Sequence, residues 1–287
     1  MCDPKTPMRE SNPRRSSLEP VRTLASRYPF TAFALAACFL SWWLVPIVGT
    51  PLGSGPFLAA LLVVGLAEGR TGVRDLFRRM LRWRVGWRWY AIALLLPAAA
   101  AGLAAWLTVG LGAAAPGGAQ LAGWTEVPFT FLLFLFVPLF GPWEEPGLRG
   151  FALSTLSGRA PLLVAGIAVG VFHVFWHLPL FISGDIPTAD VVYILAASVV
   201  FAWLVAGSGG SVFMAMLMHA SSNAVSGEFI SPMFAGGDSE TLGWIRAGIW
   251  VLCAIGVVLV AGRGFVTGSV PRAWTKGRRR HQLEPYQ

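Results

Sequence analysis

Apolar runs of membrane length alternate along the chain with short polar breaks rich in Gly and Pro. Residues 30–48 form the first. At ~1.5 Å per residue it is long enough for a hydrocarbon core of ~30 Å. Comparable runs follow at about 52–67, 91–112, 127–156, 161–182, 190–206, 211–227 and 242–261. They predict an all-α polytopic membrane protein with about eight transmembrane helices. Residues 73–89 have a different rhythm. Val73, Phe77, Met80 and Leu81 recur at i, i+4, i+7 and i+8, while Arg74, Arg78, Arg79 and Arg82 occupy the other faces. That spacing predicts a basic amphipathic helix lying at the membrane interface. Residues 1–28 are polar and basic and read as a disordered cytoplasmic tail. The membrane-embedded domain covers 29–262, and 263–287 form a second basic cytoplasmic tail.

Composition removes the soluble alternatives. The 287 residues are 55% hydrophobic and 13% charged, with a mean hydropathy of +0.62, a profile outside that of soluble domains. The formal net charge of +8 raises nucleic acid as a partner. The basic residues crowd into 5–27, 70–88 and 263–280, each flanking an apolar span, so membrane lipid is the expected partner and nucleic acid is not. The loops near 50, 120, 186 and 235 hold neither Lys nor Arg. A multi-pass protein of the cell membrane with both termini cytoplasmic follows from that asymmetry. Cys38 and Cys253 lie in apolar runs, so neither a disulfide framework nor a cysteine metal site is expected. The last residues carry no prenylation box, so the chain is not expected to be lipidated itself.

Three polar clusters interrupt the apolar pattern. The first is Gly141-Pro142-Trp143-Glu144-Glu145-Pro146-Gly147-Leu148-Arg149. An ionised side chain at the centre of a spanning helix costs roughly 2.5–3.5 kcal/mol on insertion scales, so its presence points to use. Glu145 and Arg149 stand at i, i+4 and suit a structural ion pair. Glu144 lies about 100° around the helix, free to act as a general base on water. Pro142 and Pro146 are expected to disturb the helix and admit water. The second cluster is His173-x-x-x-His177-Leu178-Pro179 and the third His219-x-x-x-Asn223. His173 is the weakest of these candidates, its plain role a hydrogen bond to a carbonyl one turn away. Asn223 alone reads equally well as interhelical glue. Together the clusters are expected to converge on one cavity.

Glu144-Glu145-x-x-x-Arg149, then a helix ending His177-Leu178-Pro179, then His219-x-x-x-Asn223 resemble the CPBP family, which comprises CAAX prenyl proteases and bacteriocin-processing (Abi) intramembrane endopeptidases. The motif core is 126–227. The family's second motif is usually Phe-x-x-x-His, and here His173 stands in the Phe position, leaving its packing role to Phe172 or Phe175. The resemblance implies a glutamate-dependent peptidase in which Glu144 and His177 activate water, His219 and Asn223 stabilise the oxyanion, and Glu145 with Arg149 brace the site. The implied substrate is a membrane-associated peptide or lipidated protein, with a CAAX-type substrate as the family namesake.

No cofactor is expected. A zinc-dependent version using Glu144, His177 and His219 is the less favoured alternative, since zinc needs three protein ligands and one open position. A non-catalytic adaptor or immunity protein on the same fold is the rival from another class. A proton-coupled transporter is disfavoured by the lack of an internal repeat. Substrate identity and oligomeric state do not follow from the sequence.

Overall fold

Long apolar stretches must satisfy their backbone polar groups internally once water is excluded, and helix is the solution the chain adopts. The computed structural model describes residues 19–268. In chain order its helices are α1 (Glu19–Arg27), α2 (Pro29–Trp42), α3 (Val45–Val48), α4 (Gly55–Ala67), α5 (Gly69–Met80), α6 (Trp87–Gly110), α7 (Gly118–Ala122) and α8 (Val127–Phe136). They continue with α9 (Leu153–Leu156), α10 (Leu162–Trp176), α11 (Leu178–Ser183), α12 (Ala189–Gly207), α13 (Val212–Ser221) and α14 (Gly237–Val266). Two π-helical segments, here π1 (Pro146–Ala152) and π2 (Ser222–Ile230), lead into α9 and out of α13. No strand occurs among the described residues. The chain is an all-α polytopic membrane protein.

Five stretches are long and apolar enough to cross a bilayer: Pro29–Val48, Trp87–Gly110, Gly118–Glu144, Ala189–Gly207 and Gly237–Val266. The eight-span count therefore also depends on shorter or broken elements: α4, α10, and α13 with π2. Outward-facing apolar side chains mark the lipid surface, such as Phe39 at 74% exposed and Val260 at 80%.

Three expectations need correction. Residues 19–27, inside the stretch read as disordered, form α1, and Arg22 Nε donates to Leu66 O at 3.3 Å. The rest of that tail, residues 1–18, lies outside the described residues, as does the C-terminal tail from 269 on. The amphipathic helix exists as α5, but its buried face is Gly72, Leu76 and Met80. Phe77 and Leu81, read as apolar-face residues, are exposed. The buried face meets protein, and exposed Phe77 and Leu81 remain on the side open to the membrane interface. Leu76 packs against Gly150, and Arg79 Nη1 donates to Gly150 O at 2.6 Å, so α5 braces π1.

The third correction concerns the fourth span, read as one helix over 127–156. It breaks after Phe136, turns through residues 137–140, re-forms as a 3₁₀ turn at Gly141–Glu144 and continues as π1 and α9. Pro138 causes the break. The residue before a proline is pushed out of the helical region, and Val137 sits at φ −92°, ψ 117°. Pro142 and Pro146 then open new segments, where proline's missing N–H costs nothing.

Small residues let the site-bearing elements approach closely. Gly166 and Gly170 on α10 face Ala202 and Ser198 on α12; a Cβ on either glycine would lie 2.9 Å from those side chains. This is a small-xxx-small seam on both helices, the usual means of close approach where lipid removes the hydrophobic drive. Gly147 in π1 sits directly on the backbone of α4, with its Cβ position 2.3 Å from Pro56 O. Trp176, at the end of α10, is fully buried and donates to Ser41 Oγ at 2.9 Å, while Trp42 Nε1 donates to Trp176 O at 2.9 Å. The pair ties α2 to α10 beside His177.

Candidate active site

The break in the fourth span sets the depth of Glu144. Leu139 and Phe140 lie against Gly53 at the start of α4, so the 3₁₀ turn delivers Glu144 towards the end of the bundle where α10 finishes. Straight helices would leave His177 several residues further out than Glu144. Instead α10 stops at Trp176, and the chain kinks through His177 into α11 ahead of Pro179. A cavity of about 700 Å³ results, lined by Glu144, Glu145, Arg149, His173, His177, His219 and Asn223. All the side chains singled out from the sequence reach it.

Glu145 and Arg149 are both buried. Arg149 Nη1 donates to Glu145 Oε1 at 3.1 Å and Nη2 to Ser198 Oγ at 3.0 Å. Its guanidinium also lies 4.6 Å from the Phe201 ring centre, a geometry that favours a cation. The same Oε1 is 2.7 Å from His219 Nδ1. A carboxylate paired with arginine can only accept, so Nδ1 carries the proton and Nε2 is the atom offered to the cavity. Glu145 is thus a shared acceptor that ties π1 to α13 and fixes one imidazole.

Gly141 reports where His219 and Asn223 meet. A Cβ built there would lie 2.6 Å from His219 Nε2 and 2.8 Å from Asn223 Nδ2. Two nitrogens therefore flank one point in front of a residue without a side chain. The step from α13 into π2 falls between these two residues, and π segments inside helices often occur at functional sites. Gly141→Ala is expected to displace both side chains and lower turnover about 100-fold, on the scale of losing an oxyanion donor. Measuring kcat beside the thermal midpoint checks this, because a folding defect would move both.

The weakest sequence candidate makes the shortest link to Glu144. His173 Nε2 lies 2.8 Å from Glu144 Oε2, and both residues are buried. The hydrogen bond to a carbonyl one turn back belongs to His177 instead, whose Nδ1 is 3.0 Å from His173 O. That bond leaves His177 Nε2 free. Phe172 takes over aromatic packing against Phe30 and Phe33, while Phe175 packs on Trp42. Buried His173 Nδ1 has no hydrogen-bond partner.

Sequence reasoning did not find Ser198, Gly141, or a polar network further along the wall. In that network Arg246 pairs with Asp190 and donates to Ser226 Oγ at 3.0 Å, while Tyr193 OH bonds Ser222 Oγ at 2.8 Å. The pairing of Asp190 with Arg246 joins α12 to α14 and has no local signature in the sequence.

Donor atoms of Glu144, His173 and His177 all lie within 4.8 Å of one another. A two-His, one-carboxylate set is a known catalytic zinc arrangement, and His177 already directs its Nδ1 at a carbonyl as metal-bound imidazoles do. Donors on bonds of 2.0–2.1 Å stand about 3.3 Å apart in a tetrahedron. The Glu144–His173 pair would have to part by about half an ångström to admit an ion.

Residues 123–225 match the family described as type II CAAX prenyl endopeptidase, Rce1-like. A "CAAX prenyl protease 2" of Methanococcus maripaludis is 30% identical over 105 residues, which cover 32% of this chain and 37% of that protein. The matched stretch thus spans little over a third of that relative's length. The family match over residues 123–225 includes all three polar clusters.

Proposed function

Since residues 123–225 group with the Rce1-like CAAX prenyl endopeptidases, we propose that this chain is an intramembrane endopeptidase that hydrolyses a peptide bond of a membrane-associated substrate. The convergence of Glu144, His177, His219 and Asn223 on one cavity carries the reading. Glu144 takes a proton from a water held between its carboxylate and the free Nε2 of His177. The water oxygen attacks the scissile carbonyl carbon. The oxygen of the tetrahedral intermediate accumulates charge where His219 Nε2 and Asn223 Nδ2 flank one point. Asn223 supplies a neutral N–H donor, and His219 supplies one as an imidazolium with Glu145 as counter-charge. The proton held on Glu144 then passes to the leaving amine, which restores the carboxylate. Glu145 and Arg149 hold the frame without touching the reacting atoms.

The test is direct: purified protein in detergent is incubated with apolar peptides, with and without a prenylated cysteine, and the products are weighed by mass spectrometry. Two fragments whose masses sum to substrate plus water are expected from wild type and not from Glu144→Gln. Equal cleavage by both proteins would remove the mechanism. A zinc-dependent version is the second reading, favoured by the Glu144–His173–His177 donor set. Cleavage unchanged by a chelator supports the first reading; loss with chelator and recovery with zinc supports the second.

A further inference from the structure

The two groups that flank the point in front of Gly141 are oriented by different parts of the bundle. His219 is held by Glu145 beside π1, whose Oε1 lies 2.7 Å from its Nδ1. Asn223 is the second residue of π2, a π-helical segment of nine residues. That conformation normally persists for only a single turn inside an α-helix. A longer run needs support from its neighbours.

The support comes from the cavity wall. Leu44, Val48, Leu180 and Ile186 give the cavity an apolar rim, while Asp190 and Tyr193 of α12 and Arg246 of α14 give it a polar side. Tyr193 OH and Ser222 Oγ share a hydrogen bond of 2.8 Å, and Arg246 Nη1 donates to Ser226 Oγ at 3.0 Å. Ser222 and Ser226 are both buried and, at i, i+4, lie on one side of π2. Asn223 comes between them in the chain, so the two bonds fix the rotation of the turn that carries it. The anchors are firm. α12 and α14 pack along each other, and the Tyr193 ring meets buried Trp250 edge-on at 5.5 Å. The Arg246 guanidinium lies 4.8 Å from the centre of the Tyr193 ring. Asp190 accepts from Nη2 and offsets the charge, which leaves Nη1 for Ser226.

We propose that Tyr193 and Arg246 are positioning residues for the hydrolysis: gripping Ser222 and Ser226 from α12 and α14, they set the rotation of π2 and hold the Asn223 amide at the oxyanion point. His219 is oriented separately through Glu145, so loss of the grip removes one donor and spares the other. The catalytic use of the grip rests on the endopeptidase reading above; the placement of Asn223 rests on the geometry alone.

Tyr193→Phe removes one hydroxyl and keeps the ring on Trp250. Ser226→Ala removes the other hold and keeps the Asp190–Arg246 pair. Each is expected to lower kcat about tenfold with KM unchanged, since a small displacement of a reacting group is enough for such a loss. Together they should approach the loss caused by Asn223→Ala, about 10²-fold, and not exceed it. In an Asn223→Ala background neither should lower kcat further, because the group they position is gone. A further tenfold fall in that background, as a purely structural role would give, overturns the proposal; so does unchanged kcat in the otherwise wild-type chain. The structure of the Tyr193→Phe/Ser226→Ala variant supplies a readout that needs no turnover. Asn223 Nδ2 is expected to leave Gly141 while His219 Nδ1 keeps its contact with Glu145, and Asn223 in its original place overturns the proposal. Full cleavage by both Glu144→Gln and Asn223→Ala would instead overturn the endopeptidase reading, and the position of Asn223 in the double variant would still decide the grip.

Discussion

Glu144→Gln is expected to lower kcat by about 10²–10⁴-fold, the usual contribution of a positioned general base. The substitution keeps size and shape, and a glutamine oxygen can still accept from His173 Nε2, which stands 2.8 Å from Glu144 Oε2. It removes the ability to take a proton. KM should stay within about threefold, because the apolar rim supplies binding that substrate and transition state share. The thermal midpoint should hold or rise, since a buried carboxylate beside a second one costs folding energy that an amide does not. Fluorescent-peptide turnover and a melting curve on the same preparation check all three. A fall in kcat with a fall in midpoint would point to damage and away from chemistry.

Arg149→Leu should act in the opposite way, through the fold. Glu145 is fully buried, its Oε1 is shared by Arg149 and His219, and its Oε2 has no hydrogen-bond partner. Removing the guanidinium leaves a buried carboxylate without its counter-charge, which costs about 3–5 kcal/mol. For a chain of this size that corresponds to a midpoint lowered by about 10 °C. The double variant Glu145→Leu/Arg149→Leu removes both charges and should recover most of the loss, as apolar replacements of buried pairs do. Turnover should remain low in the double variant, because His219 Nδ1 has lost the acceptor that orients it. Recovery of stability without recovery of turnover separates the two roles of Glu145.

The sequence was legible where a single element carries its own signal. Apolar runs gave helices, and the three polar clusters, each interrupting a run, gave the side chains that share the cavity. Prolines announced the disturbance of the fourth span, but Pro138 was the informative one. It ends α8 through the conformation of Val137, while Pro142 and Pro146 only open the 3₁₀ turn and π1. That distinction sets the depth of Glu144 and was available in the Val137-Pro138 step. The burial of Leu76 on α5 was not. It depends on Gly150 lying opposite, a contact between residues far apart in sequence. His173 was undervalued for the same reason. Helical spacing offered it a carbonyl one turn away, and only the broken fourth span brings Glu144 within 2.8 Å.

The most direct test is the structure of the protein with a peptide phosphinate, whose tetrahedral phosphorus imitates the hydrated carbonyl. One phosphinyl oxygen is predicted to accept hydrogen bonds from His219 Nε2 and Asn223 Nδ2 in front of Gly141, with the other against Glu144 and His177. A phosphinate seated elsewhere in the cavity, leaving Glu144 joined only to His173, would contradict the account.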